Sequence, residues 1–107
     1  MEPKKAHDLV KQGLAVLIDV REKEELEESG IAEGALWFPT SKMDEEDQDW
    51  LTFRQKLPKD KPVIFYCRSG NRSGRVAFFF QDDGFDAHNM GGFCDWLAAG
   101  LPHRAFP

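Results

Sequence analysis

Two uninterrupted apolar runs, Ala15-Val16-Leu17-Ile18 and Val63-Ile64-Phe65-Tyr66, limit what this chain can become. Each is too short for a packed helix, and neither alternates with polar residues as a half-solvated strand would. Both therefore suit strands buried on two faces. Helical signals lie between and around them. Ala6, Leu9 and Val10 make an apolar face over Pro3 to Gln12, with Gly13 as a stop, and an acidic stretch after Asp19-Val20-Arg21 runs to a cap at Ser29-Gly30. Trp50, Leu51, Arg54 and Leu57 recur at helical spacing between Met43 and Leu57, and Val76, Ala77, Phe79 and Phe80 mark a helix face that stops at Gly84. Shorter strands are predicted at Ala35–Phe38 and Ala87–Met90, with Gly91-Gly92 as a turn. Phe93, Trp96 and Leu97 lie on a last helix that ends near Gly100. Strands separated by helices predict an α/β fold with a parallel sheet and helices on both faces. A length of 107 residues predicts a single domain spanning 1–107.

In such sheets sites form outside the carboxyl ends of the strands. Cys67 directly follows the Val63–Tyr66 run and heads the loop Arg68-Ser69-Gly70-Asn71-Arg72-Ser73, after which a helix starts near Ser73. Gly70-Asn71 tolerates left-handed backbone angles that turn N–H groups inward. The helix adds its free N–H groups and positive dipole end, and Arg68 and Arg72 add charge. An ordinary thiol, with a pKa of ~8.5, is only about 3% ionised at neutral pH. Each tenfold gain in thiolate needs about 1.4 kcal/mol. A helix N-terminus contributes ~0.3–2 kcal/mol and a hydrogen bond to a charged group ~1.5–3 kcal/mol, so the loop can make Cys67 a nucleophile with a depressed pKa. The alternative is a buried, inert cysteine at a helix start.

A phosphatase of the Cys-x5-Arg type is disfavoured. The sixth residue after Cys67 is Ser73, Arg72 comes one place early, and Tyr66 stands where many such enzymes have His. The same loop length argues against an arsenate reductase.

Several segments together resemble the single-domain rhodaneses, the rhodanese-like sulfurtransferases. They are Leu17-Ile18-Asp19-Val20-Arg21-Glu22, Gly34-Ala35 before Phe38-Pro39, Tyr66 through Ser73, Met90-Gly91-Gly92-Phe93 with Trp96, and Ala99-Gly100-Leu101-Pro102. The chain departs from that family at Ser29-Gly30-Ile31-Ala32-Glu33-Gly34-Ala35. The usual His and Pro are missing there, and one residue is added before the third strand. The resemblance implies a three-layer rhodanese-like fold and a ping-pong mechanism through a Cys67 persulfide, with no metal or organic cofactor. Sulfane sulfur would come from a small anionic donor, thiosulfate or a persulfide, and pass to cyanide, a thiol or a protein acceptor. Neither step needs a general base, which suits a chain in which His7, His88 and His103 show no Cys-His arrangement. A non-catalytic rhodanese-like binding or redox-sensing module is the alternative.

Within that frame, Arg68, Ser69, Gly70, Asn71, Arg72 and Ser73 are expected to bind substrate, the arginines through the donor's charge and the others chiefly through backbone N–H groups. Asp19 and Arg21 end the first strand at the same edge. Asp19 is expected in an ion pair or turn bond, and Arg21 is open between structure and substrate. Cys94 either packs at a helix start or resolves an oxidised Cys67 as a reversible disulfide.

A net charge of −5 excludes general affinity for nucleic acid or anionic membrane surfaces. Two cysteines without ligand spacing make neither a disulfide framework nor a zinc site. The N-terminal residues lack the apolar core of a signal peptide, and a cytoplasmic location is expected. The acidic run Asp44–Asp49 is either a solvated face or a dock for a basic partner. Trp37, Trp50 and Trp96 are expected in the core.

Overall fold

The structure, a computed structural model, describes residues 1–106. Strands β1 (Val16–Asp19), β3 (Leu36–Trp37), β4 (Val63–Cys67) and β5 (Ala87–Gly92) form one parallel sheet in the order β3-β1-β4-β5. The two apolar runs of the sequence are its central strands, in register from Val16 opposite Val63 to Asp19 opposite Tyr66.

Because side chains alternate across a strand, these residues divide into two cores. Ile18, Val63 and Phe65 face one side, where they meet Trp50 of α3 (Gln48–Gln55) and Val76, Ala77 and Phe80 of α4 (Asn71–Asp82). Leu17, Ile64 and Tyr66 face the other, against Ala6 of α1 (Pro3–Lys11), Leu26 of α2 (Lys23–Ser29), and Phe93 and Trp96 of α5 (Phe93–Ala98). Helices on both faces make three layers, and full burial of each large apolar side chain contributes roughly 1.5–3 kcal/mol.

Several sequence-based expectations are corrected. The helix expected from Met43 is confined to Gln48–Gln55. Ahead of it a 3₁₀ turn spans Thr40–Lys42, and Asp47 caps α3 by accepting from the N–H groups of Asp49 and Trp50. Within the acidic run, Asp47 thus acts locally as a cap, and Glu45 pairs with Arg54. Phe79 lies outside the core face of α4, 68% exposed beside the equally solvated Phe78. Trp37 is only partly buried, its indole N–H donating to the Arg21 carbonyl.

The departing segment before β3 forms β2 (Ile31–Ala32), which pairs antiparallel with β6 (His103–Arg104). Neither two-residue strand has a hydrophobic period to reveal it. Gly91-Gly92 does not make a turn but belongs to β5. The β4–β5 register shifts between Phe65 and Tyr66, which face Asn89 and Gly91, so Met90 is the extra residue of a bulge. Gly91 at φ 112° takes up the bend.

Candidate active site

Cys67 is the last residue of β4, and its Sγ sits inside the loop that follows, with no solvent exposure. The chain turns at Gly70, whose φ of 96° is left-handed. Asn71 does not share that conformation as expected. It is the first residue of α4, which begins two residues earlier than the sequence suggested. A tighter turn results, and it places the helix N-terminus directly at the thiol. The Gly70 N–H donates to Sγ at 3.0 Å, and the Ser73 hydroxyl lies 3.3 Å away. Burial pushes the Cys67 pKa up, but the Ser73 hydroxyl and the backbone N–H groups of Ser73, Gly70 and Ser69 outweigh it, so the net shift is downward. The hydrogen-bond donors aimed at sulfur supply the main part of the depression, and Arg72 interacts with the thiolate through its charge.

Arg68 and Ser69 are exposed at the mouth of the loop. Arg72 is not a free charge. Its two terminal nitrogens donate to Glu25 of α2 at 2.8 and 2.7 Å, a pair that bridges helices from opposite faces of the sheet. Hydrogen bonding from Arg72, opposed by partial burial, brings the Glu25 carboxyl down to about 2. A carboxyl depressed in the folded state contributes stability that is complete above its unfolded value of ~4.3 and is lost as pH falls through the folded one. The pair is a quarter to a third exposed, so the contribution is about 1 kcal/mol. Wild type minus Glu25→Gln, followed by thermal melting, should show this increment undiminished at pH 6 and shrinking between pH ~4.5 and ~2. A pH-independent difference would dissociate the pair from the stability of the loop.

Asp19 and Arg21 are buried beneath the same edge and bound to one another. Arg21 Nε lies 3.1 Å from both Asp19 oxygens and Nη2 2.8 Å from Oδ2. Arg21 also donates to the Ser29 hydroxyl and the Gly30 carbonyl, each at 2.7 Å, and stacks 4.4 Å from the Phe93 ring. At 3% exposure it is a brace between β1 and the departing segment, with its donors engaged by Asp19, Ser29 and Gly30. Tyr66 is likewise internal, its hydroxyl oxygen accepting from the Ala32 N–H at 3.1 Å.

Cys94 is exposed on the first turn of α5, its Sγ 4.0 Å from the Arg68 carbonyl. It therefore flanks the loop and is not the packed residue that one sequence reading allowed. Gly92 explains how close these segments come. A Cβ there would lie 2.3 Å from the Arg68 carbonyl oxygen.

Sequence reasoning missed Asn89. Its Nδ2 donates to the Gly70 carbonyl at 3.0 Å, and its Oδ1 accepts from the Gly91 N–H at 3.0 Å and from the Ser73 hydroxyl at 2.7 Å. Nothing marked it beyond its place two residues before Gly91-Gly92. Among the described residues no group of three or more His, Cys, Asp or Glu could hold a metal ion, and no helix is long and apolar enough to cross a membrane.

The sequence model of the rhodanese-like domain matches residues 2–99. Over 102 residues the chain is 37% identical to the thiosulfate sulfurtransferase GlpE of Actinobacillus succinogenes, a match covering 94% of this chain and 85% of that one. The human single-domain sulfurtransferase TSTD1 superposes with a TM-score of 0.72 at 26% identity, over 92% of this chain and 94% of that one. A Rhodopseudomonas palustris protein described as a possible tyrosine phosphatase superposes with a TM-score of 0.76 at 31% identity, over 96% and 82% respectively.

Proposed function

The chain belongs to the rhodanese-like domain family, and on that premise we propose that it is a sulfurtransferase working through a persulfide on Cys67. The observation that carries this reading is the set of donors converging on Cys67 Sγ, which favours its anion despite burial. The thiolate attacks the outer sulfur of thiosulfate. A new S–S bond forms to Sγ, the old one breaks, and sulfite leaves with the bonding pair. Cyanide or a thiolate then takes the terminal sulfur, returning the electron pair to Sγ. Neither step moves a proton, so the absence of a histidine beside Cys67 is no obstacle. Arg68, exposed at the mouth of the loop, receives the anionic end of the donor, and backbone N–H groups of residues 69–73 hold the transferred sulfur. A thiol on a protein can serve as the acceptor as well as a small one.

Mass spectrometry after treatment with thiosulfate tests the proposal. It should find one added sulfur atom on the Cys67 peptide, removable by cyanide with release of thiocyanate. An unmodified Cys67 under conditions where sulfite is produced would refute it. Arg68→Ala should raise the KM for thiosulfate roughly fivefold, the value of about 1 kcal/mol for an exposed charge contact. A neutral organic persulfide should be used as before. Equal losses with both donors would remove Arg68 from this role.

The complete burial of Cys67 favours one other reading, a binding module that keeps the fold without turnover; the same burial disfavours a redox sensor, which needs an accessible thiolate. Steady-state thiosulfate:cyanide activity separates the two. Hydrolysis of p-nitrophenyl phosphate should be negligible, because the residue in the phosphate-clamp position is Ser73.

A further inference from the structure

Ser73 is fully buried, and its hydroxyl has two claimants. Cys67 Sγ lies 3.3 Å away and Asn89 Oδ1 2.7 Å away. A hydroxyl has one proton and donates it well in only one direction at a time. Asn89 cannot turn its amide round to relieve the competition. Its Oδ1 also accepts from the Gly91 N–H, and its Nδ2 donates to the Gly70 carbonyl, both at 3.0 Å. Reversal would set donor against donor and acceptor against acceptor. Strand alternation delivers this amide to the α4 face, since Asn89 lies opposite Phe65 in the regular part of the β4–β5 register, immediately before the shift. The amide packs so closely on α4 that a Cβ at Gly74 would come within 3.1 Å of its nitrogen.

We propose that Asn89 is a positioning residue whose Oδ1 accepts the Ser73 hydroxyl hydrogen bond whenever Cys67 Sγ is uncharged and releases that hydrogen bond to Sγ when the thiolate forms. The inference rests on the sulfur-carrier reading of Cys67. In the resting thiolate, Ser73 donates to Sγ, where the charge is. After attack on the donor, Sγ is bonded to the incoming sulfur and the negative charge lies on that outer atom. Sγ is then a weak acceptor, and the hydroxyl turns to Asn89. When the acceptor removes the outer sulfur, the electron pair of the broken S–S bond returns to Sγ and the hydroxyl turns back. Only the O–H direction changes, and the proton stays on Ser73 throughout. Without Asn89, the buried hydroxyl of the persulfide and thiol forms would lack a good acceptor.

A purely structural role for Asn89 makes the opposite prediction for the thiol. If the amide only braces Gly70, its removal loosens the N–H donors around Sγ and raises the titration midpoint of Cys67. If it competes for the proton, its removal deprives the neutral thiol form of the Ser73–Asn89 bond and lowers the midpoint, but only while Ser73 is present.

The test is a four-corner cycle of wild type, Asn89→Ala, Ser73→Ala and the double variant, all carrying Cys94→Ser so that one thiol reports. Thiolate absorbance or iodoacetamide alkylation is followed against pH, with near-ultraviolet circular dichroism to check the fold. The shift caused by Asn89→Ala with Ser73 present should lie below the shift in the Ser73→Ala background by about half a unit or more, the size of a modest hydrogen bond. Equal shifts in the two backgrounds would overturn the proposal. Should Asn89→Ala fail to fold, Asn89→Asp serves, because it keeps the acceptor contacts and adds charge. It should raise the midpoint more with Ser73 present than without it, and equal rises would again overturn the proposal. The titration does not require sulfur to move. A protein that never accepts sulfur from thiosulfate therefore refutes the sulfurtransferase reading separately from the outcome of the cycle.

Discussion

Replacing Cys67 with Ala is expected to lower thiosulfate:cyanide turnover by on the order of 10³-fold or more, since deleting the nucleophile of a covalent enzyme removes the intermediate itself. No other residue of the loop can stand in. Ser69 and Ser73 have hydroxyls that stay protonated at neutral pH, and Cys94 lies outside the cradle, beside the Arg68 carbonyl. Cys67→Ser makes the sharper comparison. It retains an acceptor for the Gly70 N–H, so the loop can close around it, yet its alcohol cannot form a persulfide. Both variants should melt near wild type, because Cys67 contributes only a small side chain to the core beside Phe65 and Val76. Steady-state rates with both variants are the measurement, and full activity in either would end the mechanism.

Arg21→Ala is expected to cost about 3–5 kcal/mol of stability, the usual result of breaking a buried ion pair on one side. Asp19 is 0% exposed, and without Arg21 its carboxylate would have no buried cation. The Gly30 carbonyl and the Ser29 hydroxyl would each lose a donor as well. For a domain of this size each kcal/mol is roughly 4–8 °C in Tm, so the melting temperature should fall by at least ~12 °C. The companion Asp19→Leu/Arg21→Met should recover much of that loss, since well-packed apolar pairs often replace buried ion pairs at little cost. A fall of less than ~3 °C in Arg21→Ala would show that water reaches Asp19 and that the pair is not the brace its geometry suggests.

Both effects lie at one sheet edge, and much of that edge was legible from the chain. An apolar run of four residues has few fates. Buried on two faces, it demands layers above and below, and helical periods were present to supply them. Cys67, Gly70 and the polar residues between are contiguous, so their joint chemistry was readable as a local pattern. The loop's polarity toward an anion, its position after a strand and the resemblance to rhodaneses all rest on residues adjacent in sequence.

What only the tertiary structure decided depends on groups that sequence keeps apart. Arg72 looked like a free cation until α2 brought Glu25 against it, 47 residues away. That the Arg21 guanidinium is held between Asp19, Gly30 and Phe93 was equally invisible, because Gly30 and Phe93 come from other parts of the chain. Gly91-Gly92 carries the composition of a turn, and pairing with β4 made it the end of a strand just past a bulge at Met90 instead. Asn89 gained its place at the site through pairing with β4, which sets it opposite Phe65 on the face that α4 covers. Local composition reports which backbone angles and which chemistry a segment can supply. Which partner neutralises a charge, and which acceptor takes a single proton, depends on distances of a few ångströms between distant segments, and only packing sets those.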